Sequence, residues 1–571
     1  MSIIALFLFA IIYWLLRRSS WLILHYDVKK AALVICVPLL CLYALLAGAN
    51  IPVLRSLIMS LTVIAALCFN RQRSIFATLA LALFWLLVWN PSSVFSVSFQ
   101  LTFAAVASIA AISPFLVRLV LPGQEDADNK SIVIRLKNWL FAAVGVSVAA
   151  TVGTAPLLLF SFNRISLIGP AANLVLEPLI CFWSLGFGFL ACPFVFLYPA
   201  LASFLLKIGG VGLFIANKSL FDGFPWANLW LPTPSPWLIA LYYVSLLVLI
   251  HADRDRKVIR RVAGGCFAAV LFFFWMPPAE IVKGFIHDSR ITVIDVGQGS
   301  ANLLELPGGK RVMIDCGGAA SPRFNAGVQV VGPFLWRKGI RRIDAIIITH
   351  PDSDHYNGVP FILEHFHPET LWINGSAGHD RGYAELLDRA KKMRIDVKVP
   401  AGNEVLVQGG GAEVSAVENP LGANNGDREQ SDSGRNDPVA TNDAGLVLKF
   451  SQGQFSALFP GDITKRAEAL LVSRPELLRS KILLAPHHGS STSSSEVFLE
   501  AVHPELVIVS AGASFDRIFP APDLAERLAA HGAKMVTTAQ TGCVLIITDG
   551  SACTLASGNG ISLERKISLD Q

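Results

Sequence analysis

The sequence predicts a polytopic α-helical membrane domain followed by a soluble α/β domain. Of the 571 residues, 53% are hydrophobic and only 16% are charged. Long apolar runs recur as far as residue 276, whereas the remainder has the composition of a soluble protein. In that second part, short apolar segments end repeatedly in aspartate or histidine. We therefore predict a membrane domain over residues 1–276, a linker over 277–289 and a soluble domain over 290–571.

The membrane domain is predicted from apolar runs whose lengths approach the roughly 20 residues that cross a bilayer as a helix. Some runs are shorter or contain proline and glycine, and we estimate about seven to nine spans. The basic segment 253–261 precedes the last run, Val262 to Met276. Because Lys and Arg favour the cytoplasmic side, the soluble domain is predicted to be extracytoplasmic. The alternative is that 262–276 lies in the membrane interface without crossing it.

Polar residues within apolar surroundings mark two segments of the membrane half. Gln100 lies in the first, and Asn173 and Glu177 lie in the second, where prolines and glycines between Gly153 and Pro178 are expected to interrupt helices. Broken helices with polar groups are tolerated where they face protein or a wet cavity. These three residues are our channel candidates. The alternative is that they are loop edges and helix-packing contacts.

A dense group of metal-competent residues follows the apolar run Ile346–Ile348. It consists of His350, Asp352, Asp354 and His355. Unpaired carboxylates this close would raise each other's pKa, whereas a divalent cation removes the conflict by taking imidazole and carboxylate as ligands. The alternative is a polar corner between a strand and a loop. The group predicts a metal site.

Further strand tips carry the same residue types. Asp315 ends a predicted strand, Asp462 follows a predicted hairpin, and His487 and His488 follow a strand that begins near Lys481. Strands alternate with helical segments, which favours a layered α/β domain with its polar tips along one edge. Such an edge has enough ligands for two metal ions, which could stabilise both oxygens of a phosphoryl displacement.

These motifs resemble two known families. THPDSDHYNG (349–358), LFPGDI (458–463) and APHHGS (485–490), preceded by DVGQGS (295–300) and MIDCGG (313–318), resemble the metallo-β-lactamase fold, an αββα sandwich. More narrowly, they resemble the soluble domain of the ComEC family of competence proteins. RSLIM (55–59), NPSSVFSVSFQLTFAAV (90–106), GTAPLLLFSF (153–162) and PAANLVLEPL (170–179) are similar to the membrane domain of that family. The resemblance extends from about residue 50 to 560.

The resemblance implies ligand roles for individual residues. His350 and Asp352 would serve one metal ion. Asp354, His355 and a histidine of the 487/488 pair would serve the other, with Asp462 bridging the two. His487 is the preferred ligand because it comes first after the strand, which leaves His488 to contact substrate phosphate or to protonate the leaving group. Asp354 and His488 are the residues assigned to catalysis.

Supporting residues and the metal follow from the same resemblance. Asp315 would support the site from behind the ligands, and Asn442 occupies a position where the superfamily has histidine. Asp352 also stands where histidine is more usual. The oxygen-rich first site shifts the expectation from Zn²⁺ toward Mn²⁺ or Mg²⁺. For the whole centre we expect one or two divalent ions, Mn²⁺ or Zn²⁺, with Mg²⁺ as a further candidate.

The implied function is an inner-membrane channel for single-stranded DNA with an extracytoplasmic metal-dependent nuclease domain. Its expected partners are DNA, membrane lipid, other competence proteins including a DNA receptor and an ATPase, and further copies of the chain. Ser300 and the segment Ile518–Pro520 depart from the family pattern. Two alternatives therefore stay open: a membrane-anchored metallo-phosphodiesterase whose helices only tether it, and an inactive relic. The basic pairs of the soluble half, such as Lys391 and Lys392, form no dense stripe.

Overall fold

The computed structural model describes residues 2–69, 75–120, 132–218, 227–252, 256–318, 324–376, 378, 380–421, 438–512, 519–558 and 566–568. The chain divides into two compact units, Met1–Phe272 and Phe273–Gln571. Part of the basic segment on which the predicted orientation rests, residues 253–255, and Ile518 lie outside the described residues.

The first unit is helical. Its helices are α1 (Ser2–Leu16), α2 (Ser20–His25), α3 (Val28–Leu46), α4 (Ile51–Cys68), α5 (Ile75–Trp89), α6 (Val97–Val120), α7 (Ile132–Phe162), α8 (Gly169–Glu177), α9 (Leu185–Ala191), α10 (Phe194–Leu197), α11 (Pro199–Asn217), α12 (Pro236–His251) and α13 (Lys257–Trp275), the last of which ends just beyond the unit. A 3₁₀ turn covers Pro91–Phe95 and a π-helical turn covers Pro178–Ser184. Two short strands, β1 (Arg164–Ser166) and β2 (Asn228–Trp230), pair antiparallel.

Six of the described helical segments are long and apolar enough to cross a membrane: Val28–Leu46, Val97–Leu116, Leu136–Phe162, Gly169–Ala191, Pro199–Asn217 and Lys257–Trp275. Four shorter apolar helices are Ile4–Leu16, Val53–Cys68, Ile75–Trp89 and Pro236–His251. Many large apolar side chains of this unit are exposed, as expected where lipid is the solvent. The predicted polytopic helical domain is confirmed.

The expected interruption at Gly153 and Pro156 is wrong, because α7 runs unbroken through both residues. Proline has no N–H to donate, so Pro156 leaves the carbonyl of Val152 without its helical partner. The Tyr242 hydroxyl donates to that carbonyl at 2.8 Å, and Tyr243 donates to the Gly153 carbonyl at 2.8 Å. The helix is continuous because α12 replaces the missing donor. Farther along, α8 passes directly into the π-helical turn at Pro178, where an interruption was expected.

The second unit contains two large sheets and several helices. Its strands are β3 (Ser289–Val293), β4 (Ala301–Glu305), β5 (Arg311–Cys316), β6 (Ala345–Ile347), β7 (Thr370–Trp372), β8 (Asp396–Lys398), β9 (Val405–Gly409), β10 (Ala412–Val417), β11 (Val447–Gln452), β12 (Phe455–Phe459), β13 (Ile482–Leu484), β14 (Leu506–Val509), β15 (Lys534–Thr537), β16 (Val544–Thr548), β17 (Ala552–Ser557) and β18 (Lys566–Ser568). Its helices are α14 (Pro278–Val282), α15 (Gly332–Arg337), α16 (Ser353–Tyr356), α17 (Val359–Phe366), α18 (Arg381–Lys392), α19 (Pro438–Asp443), α20 (Lys465–Leu471), α21 (Pro475–Leu478), α22 (Glu496–Val502), α23 (Pro522–Ala530) and α24 (Thr538–Thr541).

The two sheets form a sandwich with helices outside. One has the order β15-β14-β13-β12-β11-β10-β9, and the other β18-β17-β16-β3-β4-β5-β6-β7-β8. Apolar residues of both sheets, such as Ile314, Phe450 and Ile508, form one buried core between them. A second core joins the seven-stranded sheet to α20–α23, and α18 packs beside β8 of the other sheet. The layers are those of the predicted αββα sandwich.

Parallel pairing brings the polar tips to one edge within each sheet. Strand β5 pairs parallel with β6, and β12 pairs parallel with β13. The carboxyl ends of parallel neighbours lie at the same edge of a sheet. Consequently, the residues that follow β5 and β6 meet one another, as do those that follow β12 and β13.

Candidate metal centre

The turn after β6 supplies four of the predicted site residues. The chain leaves the strand through Thr349 and His350, and Asp352 begins the short helix α16, which contains Asp354 and His355. His350 and His355 are buried. A Cβ added to Gly317 would lie 2.0 Å from the Asp354 backbone, so only glycine allows β5 to end this close to the turn. The first glycine of the CGG sequence thus serves the site by allowing this approach.

The other sheet supplies Asp462 and the histidine pair. Asp462 is buried after Gly461, whose φ of 62° turns the chain at the end of β12. His487 and His488 adopt left-handed backbone conformations, with φ of 50° and 55°. These conformations are unusual outside glycine and turn the two side chains in directions that strand alternation does not give. His488 is buried, whereas the side chain of His487 is 28% exposed.

Four side chains from the two sheets meet in one group. Ligand atoms of Asp354, His355, Asp462 and His488 all lie within 4.8 Å of one another. His355 Nε2 is 3.1 Å from Asp462 Oδ1. His488 Nε2 is 3.5 Å from Asp462 Oδ2 and 3.5 Å from Asp354 Oδ2. Two imidazoles and two carboxylates at this spacing form a donor set suited to a divalent cation.

Hydrogen bonds behind the group fix the orientation of its imidazoles. His355 Nδ1 lies 2.8 Å from Asp315 Oδ2, and because an ionised carboxylate only accepts, Nδ1 carries the proton. His488 Nδ1 donates to the Ser510 carbonyl at 2.9 Å. In the neutral form of both rings the lone pair is therefore on Nε2, the atom that points into the group.

A third imidazole is oriented in the same way through a hydroxyl. Thr349 Oγ1 lies 3.0 Å from Asp315 Oδ2, so its proton is donated to that carboxylate. The same oxygen can then accept from His350 Nδ1, which is 3.1 Å away. The His350 ring lies against that of His355, with 4.1 Å between centroids. His350 Nε2 thus also has its lone pair available, beside the four-residue group.

The site fits a metal ion because three of its imidazole nitrogens have no hydrogen-bond partner among the described residues. Nε2 of His350, His355 and His488 is buried in each case and makes no hydrogen bond to any described residue. Although His355 Nε2 is close to Asp462, the contact lacks hydrogen-bond geometry. Burying three polar atoms without partners is costly, and a shared cation removes that cost. The residues present fit a divalent metal ion.

Without a metal ion, the histidines and carboxylates of the group shift one another's pKa. Burial lowers the pKa of His355, but the carboxylates of Asp462 and Asp315 outweigh burial and hold that pKa well above its usual value. Burial raises the pKa of Asp354, but His488 and His355 outweigh it and lower that pKa to about 2. The pKa of Asp462 is likewise held well below its usual range by the neighbouring histidines, against the effect of burial. Both carboxylates are therefore ionised at neutral pH.

The histidine pair is placed the other way round from the expectation. His488, expected to face substrate, enters the four-residue group, whereas His487 Nε2 remains 3.9 Å from Asp462 Oδ2 at its exposed side. His487 Nδ1 is instead 3.1 Å from the Thr492 hydroxyl. On this geometry His488, and not His487, would be the ligand of an ion held by the group. Asp354, expected to act in catalysis as well as in metal binding, also lies inside the group.

The remaining predicted residues lie around the group. Asp352 is partly exposed, with Oδ2 3.7 Å from His350 Nε2. The Asn442 carbonyl accepts from Gly445 N–H, and Gly445 lies close to the His350 side chain. Asp315 is buried behind the ligands. Of these residues, His350 and Asp352 are the pair that could hold a second ion.

Sequence reasoning missed two supporting residues. The Thr349 hydroxyl connects the Asp315 carboxylate to His350 by two hydrogen bonds. The signal in the sequence was its position directly before the first histidine of the cluster. Ser510 acts through its backbone carbonyl, for which no side-chain signal exists. Ser300, where the family has an acid, lines a cavity of about 30 Å³ beside His355, Asp462 and His488.

The channel candidates have different environments within the membrane unit. Gln100 Nε2 donates to the Val94 carbonyl at 3.0 Å. Asn173 Nδ2 donates to Ser147 Oγ at 2.9 Å and so joins α8 to α7. Glu177 is exposed at the junction between α8 and the π-helical turn. Gln100 and Asn173 therefore hold helices and turns together, whereas Glu177 presents a carboxylate at a helix discontinuity.

Comparisons with known proteins agree with both units. Residues 1–255 match the competence protein family, and residues 294–512 match the metallo-beta-lactamase superfamily. The chain is 27% identical to ComE operon protein 3 of Bacillus subtilis over 535 residues, which cover 90% of this chain and 64% of that protein. It is 27% identical to Competence protein ComA of Neisseria gonorrhoeae over 510 residues, covering 88% of this chain and 63% of that protein. It is 24% identical to Recombination protein 2 of Haemophilus influenzae over 540 residues, which cover 88% of this chain and 62% of that protein. The chain thus spans less than two thirds of the length of these relatives.

Proposed function

Because residues 1–255 form a competence protein domain and residues 294–512 form a metallo-β-lactamase domain, we propose that this membrane protein acts in DNA uptake. In this proposal the membrane domain passes single-stranded DNA and the soluble domain is a metal-dependent phosphodiesterase outside the cytoplasm. A DNA receptor, an ATPase and further copies of the chain are its proposed partners, on the strength of the family resemblance.

The observation that carries the enzymatic part is the convergence of buried, unpartnered donors from both sheets. His355 and His488 direct Nε2 toward two ionised carboxylates, Asp354 and Asp462. A divalent cation bound there would supply Lewis acidity and a water of lowered pKa. This chemistry suits attack on a phosphodiester, which needs charge stabilisation more than covalent catalysis.

The chain's own residues would act by holding and orienting. Asp315 and Ser510 keep the Nδ1 protons of His355 and His488 away from the metal-binding face. His487, at the exposed side of the group, is available to contact a substrate phosphate oxygen. The mixture of imidazole and carboxylate donors supports Mn²⁺ or Zn²⁺ above Mg²⁺ as the resident ion.

The enzymatic proposal is tested with the full chain in detergent. Hydrolysis of bis(p-nitrophenyl) phosphate and of a single-stranded oligonucleotide is measured with Mn²⁺, Zn²⁺ or Mg²⁺ after chelator treatment. We expect metal-dependent hydrolysis that falls at least about 100-fold in Asp462→Asn, since charge stabilisation of this kind is worth that much. The matched control is Asp344→Asn, whose carboxylate accepts from Arg311 N–H at the opposite end of β6. Absence of hydrolysis with every metal would support the inactive relic instead.

A second candidate, a phosphodiesterase that uses its helices only as a tether, is favoured by the partners of Gln100 and Asn173. A substitution of Glu177 discriminates between the two candidates, because a carboxylate within the membrane domain is costly unless it is used. The channel proposal expects Glu177→Gln to lower transformation while leaving phosphodiesterase activity and membrane abundance unchanged. Unchanged transformation would favour the tether.

A further inference from the structure

A basic, hydroxyl-rich surface adjoins the metal centre on the side of His487. The N–H of Lys465 donates to the Thr492 carbonyl at 3.0 Å, which joins the first turn of α20 to the loop after the histidine pair. Thr492 Oγ1 lies 3.1 Å from His487 Nδ1 and 3.0 Å from Ser490 Oγ. We call the surface formed by Lys465, Arg466, His487, Ser490 and Thr492 the basic rim.

The rim includes two exposed cations. Lys465 and Arg466 are exposed, and neither forms an ion pair with any other residue that the structure describes. Elsewhere in the domain, the exposed cations Arg474 and Arg389 are paired with Glu418 and Glu364. Two adjacent unpaired cations beside a metal centre are suited to a polyanion.

The acidic residue of α20 does not cancel this charge at the surface. Glu468 is fully buried and accepts from Ser494 N–H at 2.6 Å and Ser495 N–H at 2.8 Å. From the same buried side, Arg527 Nη1 donates to the carbonyls of Ser493 and Ser494. A carboxylate and a guanidinium thus fix the backbone of the loop from beneath. The rim is therefore held in shape before any ligand binds, which lowers the entropy cost of binding.

We propose that the basic rim binds the phosphates of a nucleic acid strand that flank the phosphodiester at the metal centre. Lysine and arginine neutralise backbone phosphates without reading sequence, and serine and threonine hydroxyls donate to phosphate oxygens. His487, a member of the rim, has its Nε2 3.9 Å from Asp462 Oδ2, so a strand bound along the rim would reach the metal centre. The inference rests on the proposed phosphodiesterase function and specifies its substrate as a polymer with several phosphates.

The test compares two double variants of the full chain in detergent. Lys465→Gln/Arg466→Gln removes the two rim cations but keeps the Lys465 backbone contact. The control, Lys391→Gln/Lys392→Gln, removes the same charge from exposed residues at the end of α18. Binding of a fluorescent single-stranded oligonucleotide is measured by anisotropy over a range of salt, in an Asp462→Asn background that prevents cleavage. Hydrolysis of bis(p-nitrophenyl) phosphate is measured in the unaltered background.

In the rim variant, we expect the Kd for the oligonucleotide to be roughly tenfold higher than in the parent. The slope of log Kd against log salt concentration should be smaller by about 1.4, because each lost phosphate contact contributes about 0.7. Hydrolysis of the small diester should not change, and the control should bind as the parent does. The proposed role of the rim would be refuted if the rim variant bound the oligonucleotide as tightly as its parent, or if the control variant lost as much affinity as the rim variant. Failure of the parent to hydrolyse the small diester would overturn the phosphodiesterase instead, so the two failures are distinguishable.

Discussion

Replacing Asp315 with asparagine changes which nitrogen of His355 carries the proton. Asp315 accepts from Thr349 N–H at 2.8 Å, from the Thr349 hydroxyl and from His355 Nδ1–H. Asparagine has one accepting oxygen and one donating amide, so it cannot accept all three. If the Asn oxygen stays with Thr349, the amide faces His355 Nδ1, and the imidazole must move its proton to Nε2. The metal-facing atom then loses its lone pair.

The cost follows from the hydrogen bonds that the substitution removes. Partners that orient a ligating histidine are worth about 10- to 100-fold in metal affinity, or about 1.4–2.7 kcal/mol. Asp315 also supports His350 through Thr349, so the upper end of that range is expected. The change in unfolding free energy without metal should be smaller, about 1 kcal/mol for one altered hydrogen bond.

The assay is competition between the full chain in detergent and a chromogenic chelator for Mn²⁺ or Zn²⁺, with thermal unfolding measured in excess chelator. Asp344→Asn is the matched control, because it makes the same chemical change at the other end of β6. We expect both variants to lose similar stability without metal and Asp315→Asn alone to lose metal affinity. Wild-type affinity in Asp315→Asn would refute the assignment of the His355 proton to Nδ1.

Three further expectations follow from the structure. Metal affinity should rise with pH, because the raised pKa of His355 keeps its ring protonated to higher pH and only the neutral ring binds metal. Competition titrations at several pH values measure this dependence. An affinity that falls as the pH rises would contradict the expectation. Excess chelator should lower the Tm of the metal-loaded chain, since a ligand at 100 times its Kd stabilises the folded state by about 2.7 kcal/mol. Tyr242→Phe should lower the unfolding free energy by about 1–3 kcal/mol, because it leaves the Val152 carbonyl in α7 without a donor. Ser245→Ala, which removes only a hydroxyl bonded within α12, is its control.

Most residues of the four-residue group could be predicted from the sequence because they are concentrated at the ends of strands. Asp354, His355 and Asp462 each follow an apolar strand within a few residues, and strand ends in a layered α/β domain collect at an edge. Which of His487 and His488 enters the four-residue group could not be predicted from the sequence. Strand alternation ends at Leu484, and the left-handed backbone of both histidines sets their directions. Only the folded turn determines which ring enters the group.

The continuity of α7 shows a second limit of sequence reasoning. Proline and glycine predict an interruption when only the helix itself is considered. The donor that preserves the helix, Tyr242, is 90 residues farther along the chain from Val152. A local pattern cannot reveal a partner at that separation. Polar residues in membrane helices are subject to the same limit, since the local pattern around Asn173 does not reveal its hydrogen bond to Ser147 on the neighbouring helix.

The metal group is also a connection between the two sheets of the sandwich. Asp354 and His355 follow the nine-stranded sheet, whereas Asp462 and His488 follow the seven-stranded sheet. A cation held by all four would therefore join the sheets at this edge, where three buried Nε2 atoms otherwise have no partner among the described residues. Since the loop that carries His488 also carries Thr492 of the basic rim, the rim and the metal centre share one support. Because Glu468 and Arg527 also hold the backbone of that loop, we expect the rim to keep its shape when the ion is removed.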